Sequence, residues 1–407
     1  MTDQAFEDDA APEGPPRAPF WARPLLVRLG RLWGRGRLDV VLPGGGRWRL
    51  GREARPHAVW RVRRWRALAR MVGRGDIGFA EGYLAGDWDT PDLTGLLVAF
   101  ADNYEGLARI VTGSRLLRGL DAVGHALSRN SRRGARRNIV AHYDLGNAFY
   151  AGWLDPGMTY SSALFDRPNL DLEQAQSAKY AALADAAGIG PDSHVLEIGC
   201  GWGGFAEYAA RERGARVTAI TLSPSQKAYA EARMAAAGLA DRVQIRLIDY
   251  RDVAGRFDAV VSIEMFEAVG EAYWPVFFGR VRDLLAPGGR AALQIITIRD
   301  DLFDSYRRRP DFIQMHVFPG GMLPSRSVLD QLMAEAGLAA RVERRMGPDY
   351  ARTLAEWRER FDAWAARADD PPTPRFQRLW RYYLGYCEAG FRTGRIDVVQ
   401  VAAGRAP

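Results

Sequence analysis

Residues Val195–Phe205 read VLEIGCGWGGF, an apolar run that ends in E-x-G-x-G-x-G and passes into a helical pattern. Glycines at that spacing let the chain turn sharply and let its backbone approach a ligand closely. A strand feeding such a turn requires an α/β fold, with the ligand outside the carboxyl ends of the strands. The rest of the C-terminal half agrees. Strands are expected at His194–Ile198, Arg216–Ile220, Val243–Leu247, Phe257–Ile263 and Arg290–Thr297, with helical segments between them, Leu172–Ala187 among these. That alternation predicts a mostly parallel sheet wrapped on both faces. Val342–Arg345 and Ile396–Ala402 supply the last two of seven strands, with a long aromatic helical region, Tyr350–Phe391, between them.

A glycine triplet alone is a weak signal, and a dinucleotide fold is its main competitor. Three features favour S-adenosylmethionine (SAM). Glu197 sits inside the strand end, where a carboxylate can meet an amino group or order the loop. The second strand ends in ITLSPSQ, without the ribose-binding acid of nicotinamide enzymes. The third ends in Asp249-Tyr250, where an acid can accept from an adenine amine. The plain alternative is a glycine turn that only packs strand on helix.

The N-terminal part has a different character. Residues 1–16 are acidic and Pro-rich, lack the pattern of a secretory signal, and read as a disordered tail of a cytoplasmic protein. Residues 17–127 read as a small α+β domain. Arg37–Leu50 gives two strands around a Gly-rich turn, Val59–Arg66 a third strand, and Ala67–Val72 and Leu93–Phe100 helices. Residues 128–137 form a basic linker, and 138–407 the larger domain. The net charge of +7 is carried by arginine, since Lys179 and Lys227 are the only lysines. Between Arg17 and Arg74 the only acids are Asp39 and Glu53. Such a face suits an anionic surface, nucleic acid or lipid headgroups, or is simply solvated. Two cysteines without a CxxC pair and scattered histidines point to neither a disulfide framework nor a metal site.

The blocks AHYDLGNAFYAGWLDPGMTYSSALF, LDLEQAQSAKY, VLEIGCGWGGF, VTAITLSPSQ, IDYRD and SIEMFEAVG, then FIQMHVFPGGMLPS, DYARTLAEW and GYCEAGFRTGRIDVVQ, run in order from Ala141 to Gln400. In them the chain resembles the cyclopropane-fatty-acyl-phospholipid synthases and mycolic acid cyclopropane synthases. The segment GFAEGYLAGDWDTPDL is similar, more loosely, to the accessory lipid-binding domain of the phospholipid-acting members. The resemblance implies a class I SAM-dependent methyltransferase, Rossmann-like, with a smaller N-terminal lipid-binding domain. It implies that Tyr160 and Ser161 cover the SAM carboxylate end, that Gly199, Gly201 and Gly203 approach the methionine portion, and that Thr221, Leu222 and Gln226 flank ribose and adenine. Asp249 and Tyr250 would border the adenine.

The implied chemistry is methyl transfer to the double bond of an unsaturated phospholipid acyl chain. An alkene needs no base to attack, only a methyl held in line at near-attack distance. Attack leaves a carbocation, and a proton must then be lost. The family is understood to use bound bicarbonate as base. By motif, Glu267 and Tyr350 would hold it by side chain, and Ile263 and Cys387 by backbone groups. Glu267 on its own reads equally as a helix-start cap. Where many bacterial synthases have histidine in LLHTI, this chain has Gln294 in ALQIITI, which cannot carry positive charge. That departure bears on ring closure more than on methyl transfer. His142 of AHYD reads as structural. The aromatic residues from Trp357 to Tyr386 are a candidate acyl-channel wall, or ordinary helix core.

Cyclopropane formation is therefore the leading expectation. Methylation without ring closure, as in methyl-branched or furan fatty acid routes, is the nearest rival. A lipid-binding protein with a dead site is the reading from another class. A nucleic-acid methyltransferase is disfavoured, because SIEMFE stands where a DPPY-type tetrad belongs. The expected setting is the inner face of a membrane with an anionic surface, no segment being apolar over the ~18 residues of a span. The oligomeric state stays open, a homodimer among the options.

Overall fold

The structure is a computed structural model that describes residues 18–53, 55–111 and 145–406. The acidic tail, the basic linker, the end of the first domain and His142 lie outside the described residues. The chain divides into two compact units, Met1–Gly119 with Thr373–Ala389, and Leu120–Pro372 with Gly390–Pro407.

The first unit holds strands β1 (Arg37–Val41), β2 (Arg47–Leu50), β3 (His57–Val62) and β4 (Trp88–Asp89), in the order β2-β1-β3-β4. Helices Ala22–Leu32, Arg66–Leu84, Leu93–Asp102 and Tyr104–Val111 accompany them. The third strand stops at Val62, and Arg66 already opens a helix that runs on to Leu84, broken only at Gly75 (φ 64°). The glycines of that segment are thus compatible with helix because its aromatics pack inward. Phe79 stacks on Trp88 at 4.3 Å, and Trp60 meets both rings. Asp87, fully buried, pairs with Arg64, Arg66 and Arg70. The sequence gives no sign that Thr373–Ala389 returns to this unit. The ties that bring it there are a bond from Thr94 to Glu388 (2.9 Å) and bonds from the Arg378 guanidinium to the carbonyls of Tyr83 and Trp88. The expected aromatic helical region is accordingly two helices, Gly347–Ala365 and Pro374–Arg392.

The second unit contains β5 (His194–Ile198), β6 (Arg216–Thr221), β7 (Val243–Leu247), β8 (Phe257–Ile263), β9 (Leu285–Ile298), β10 (Leu338–Arg345) and β11 (Ile396–Arg405). They form one seven-stranded sheet, β10-β11-β9-β8-β5-β6-β7, parallel except for β11, which runs antiparallel to both neighbours. This is the class I methyltransferase arrangement. Residues alternate between the faces as a strand requires. On β5, Leu196 joins the cluster of Val260, Phe277 and Leu293, while Val195 joins that of Leu183, Val217 and Val261. Glu197 follows Leu196 and is turned to the same side as Val195, the side covered by helix Leu172–Ala187. Strand order reverses between β5 and β8, so the cleft for a ligand lies beyond their carboxyl ends, at Gly199 and Glu264.

Candidate active site

The glycine turn has the conformation its sequence demands. Gly199, Gly201 and Gly203 have φ of 85°, 52° and 84°. The amides of Gly199 and Cys200 both donate to the Ile220 carbonyl at 3.0 Å, which ties the turn to β6. A side chain at Gly199 would strike Met265, at 2.6 Å, whereas one at Gly201 would point into open space. Beside this opening Glu197 is buried, and its Oε2 has no hydrogen-bond partner among the described residues. Burial pushes its carboxyl up to about 8, with Lys179 and Arg233 opposing the rise. An open glycine cradle next to an unsatisfied buried carboxylate fits a ligand with a cationic amino group, as SAM has. The remaining expected contacts border the same sheet edge. Thr221 donates to Gln226 at 2.9 Å and accepts from the Ser223 amide at 3.1 Å; Leu222 beside them is half-buried. Asp249 is closed on Arg251 by bonds of 2.8 and 2.6 Å, so an adenine amine would have to share that pair. Tyr250 packs on Phe277, and burial pushes its hydroxyl up to about 12.

Tyr160 and Ser161 belong to a segment strapped across the site. The amides of Ala163 and Phe165 donate to Thr353 and Asp349 of helix Gly347–Ala365. The Tyr160 ring stands 5.4 Å from Tyr150 and 5.3 Å from Trp357. Ser161 accepts from the Lys179 ammonium at 2.7 Å, and its carbonyl accepts from Gln176 at 2.9 Å. Lys179 is fully buried; burial lowers it to about 7, while Glu264, Asp155 and Glu197 pull it back towards the charged form.

Glu264 is the centre of the cluster, and sequence reasoning passed over it. It follows the last residue of β8 with φ 48°, a left-handed conformation uncommon outside glycine. Its Oε2 accepts from the Tyr350 hydroxyl at 2.7 Å. Its Oε1 accepts from Gln294 at 2.7 Å and from the Ser162 amide at 2.8 Å. Gln294 is oriented for this by Gln400, which donates to its carbonyl oxygen at 3.0 Å. Burial raises the Glu264 carboxyl, and the bonds from Tyr350, Gln294 and Ser162, with Lys179, act against the rise.

Glu267 lies one turn further on. Its Oε1 accepts from the Ile296 amide at 2.5 Å, its Oε2 has no partner among the described residues, and burial together with Glu264 pushes it up to about 8.

Of the residues expected to hold an anion, Tyr350, Gln294 and Glu267 come together, around Glu264. The backbone amide that reaches Glu267 is that of Ile296, two residues beyond Gln294; Ile263 pairs with Gln294 across the sheet. Cys387 belongs to the first unit. An exchangeable bicarbonate does not fit this arrangement. The Tyr350 and Gln294 donors already serve a carboxylate, and a further anion would be buried against two carboxyl groups. Two signals in the sequence pointed to the missed residues. Glu264 stands directly at a strand's carboxyl end, and Lys179 is one of two lysines kept in an arginine-rich chain.

The sheet order, the open glycine turn and the buried carboxylate beside it define a SAM-dependent methyltransferase. The chain belongs to the mycolic acid cyclopropane synthetase family, whose model matches residues 130–401. It is 43% identical over 348 residues to tuberculostearic acid methyltransferase of Mycobacterium tuberculosis, covering 82% of this chain and 80% of that one. It is 34% identical to cyclopropane-fatty-acyl-phospholipid synthase of Escherichia coli, over 83% of this chain and 85% of the relative. Among solved structures it resembles mycolic acid cyclopropane synthase CmaA1 complexed with SAH and CTAB, with a TM-score of 0.62 and 30% identity, covering 66% of this chain and 97% of that one.

Proposed function

We propose that this enzyme transfers the methyl group of SAM to a carbon–carbon double bond in the acyl chain of a membrane phospholipid. The observation that carries the reading is a half-buried carboxylate, Glu264, beside Tyr350, whose ring lies 6.0 Å from Trp357 in the aromatic group that also holds Tyr160. Aromatic faces suit both an apolar chain and the positive charge that alkene attack creates. Bound SAM supplies an electrophilic methyl group. The protein's own part is to hold the alkene in line, exclude water and remove one proton. Glu197 and the glycine turn hold the cofactor, Lys179 and Ser161 fix the covering strap, and Tyr350 and Gln294 hold the carboxylate.

Ring closure and an open methylated chain share every step as far as the carbocation. Gln294 cannot supply the positive charge that a histidine could, and the relative at 43% identity is named a methyltransferase rather than a ring synthase. Both favour the open product. A cyclopropane is the second reading, favoured by the family match over 130–401.

The first unit supports work at a membrane surface. Phe20 is 89% and Trp21 41% exposed, and Val27 and Val72 are exposed as well. Trp21 leads helix Ala22–Leu32, whose Arg23, Arg28 and Arg31 are exposed, and its ring meets Trp65 at 6.2 Å. Exposed apolar side chains beside exposed arginines suit an anionic headgroup layer. Among the described residues no helix is long and apolar enough to cross a membrane. With SAM and vesicles, methyl transfer is expected to unsaturated anionic phospholipid and not to its saturated analogue. Vesicle binding should weaken as the screening length falls from about 10 Å at 0.1 M salt to about 3 Å at 1 M. Equal transfer to saturated lipid would overturn the substrate reading, and salt-independent binding to neutral vesicles the surface reading.

A further inference from the structure

We propose that Glu264 is the resident base of this enzyme, doing by a tethered carboxylate what the family resemblance assigns to an exchangeable bicarbonate; this rests on the alkene-methylation reading above. Three observations converge on it. First, its oxygens take the donors of Tyr350, Gln294 and Ser162 at 2.7–2.8 Å, two of the three side chains expected at the anion site among them. Secondly, a non-glycine residue at φ 48° is strained and persists only where its surroundings over-determine it. Here those surroundings are the three donors, together with the bond from the Glu264 amide to the Gln294 carbonyl at 2.8 Å. Thirdly, Glu264 stands at the carboxyl end of β8, at the reversal of strand order, where the glycine turn also opens.

The step balances with this chain's residues alone. The methyl carbon leaves sulfur with its bond to one alkene carbon forming, and the other alkene carbon becomes positive. Glu264, ionised, takes a proton either from the transferred methyl group, which closes a ring, or from a carbon next to the cation, which leaves a double bond. The C–H electron pair fills the cation as a new carbon–carbon bond, whether ring bond or double bond. Glu264 ends as the carboxylic acid, and its proton passes to solvent when the product leaves.

The test compares the parent protein with Glu264→Gln and Glu264→Gly. Glycine is favoured at positive φ, so Glu264→Gly removes the carboxylate while relieving the backbone and should fold. Thermal unfolding and SAM titration check that both variants remain folded and bind cofactor. The parent should turn over at the same rate in bicarbonate-depleted buffer and should show no binding of 13C-bicarbonate by NMR. Glu264→Gln should lose turnover by about a hundredfold or more, without rescue. Glu264→Gly should lose as much, bind 13C-bicarbonate, and recover part of its turnover when bicarbonate is added. A parent that binds bicarbonate and slows on its depletion would overturn the assignment, as would a Glu264→Gln protein at full rate. If the parent binds SAM but methylates no lipid, the alkene reading fails, and the bicarbonate-binding arm still reports whether Glu264 fills the anion site.

Discussion

Gly201→Val is expected to abolish SAM binding in a protein that still folds. A side chain at Gly201 meets no protein atom within 4 Å, so the fold has room for it and the ligand does not. The backbone there has φ 52°, which a β-branched residue adopts only with strain. Lost approach and strained turn together should weaken affinity by about a hundredfold or more, equivalent to roughly 3 kcal/mol. Calorimetry on a variant with the parent's unfolding temperature is the check. Unchanged affinity would remove the glycine turn from the cofactor site.

Tyr350→Phe should lower kcat about tenfold to a hundredfold and leave SAM affinity unaltered. Its hydroxyl donates to the Glu264 carboxylate at 2.7 Å, and hydrogen bonds to charged groups contribute about 1.5–3 kcal/mol. The pH profile should move as well. Glu264 faces Tyr350, Gln294 and the Ser162 amide, with Lys179 and Glu267 nearby in charge. The Tyr350 bond favours the ionised form, so its removal raises the carboxyl further. The acid limb of kcat, where Glu264 becomes protonated, should therefore shift to higher pH in the variant. A profile that falls in height without shifting would make Tyr350 a wall of the chamber and not a partner of the base.

What the sequence revealed and what it hid follow from the range of the interactions. The glycine turn is written within eleven adjacent residues, Val195–Phe205, and the strands around it are short apolar runs, so both were legible. Strands β5, β7 and β8 have the expected bounds; β6 runs one residue further, and β9 begins earlier, at Leu285, because the residues after helix Trp274–Leu284 already pair with β8. The Glu264 network was not legible. Its partners Ser162, Gln294 and Tyr350 are 102, 30 and 86 positions away, and no local pattern joins them. The family motif instead marks Glu267, three residues on, whose Oε2 has no partner among the described residues. Lys179 was hidden for a related reason. It lies in a segment read only for its helical period, and its three carboxylate neighbours come from three other parts of the unit.

The central claim is that the methyl group goes to an acyl-chain alkene and that Glu264 removes the proton which follows. Incubation with methyl-deuterated SAM and unsaturated phospholipid, followed by mass spectrometry of the released acyl chains, tests it most directly. Deuterium bonded to carbon at the position of the former double bond is expected, formed by the parent and lost in Glu264→Gln. Label on the headgroup, or label in the acyl chain at an undiminished rate in Glu264→Gln, would contradict it.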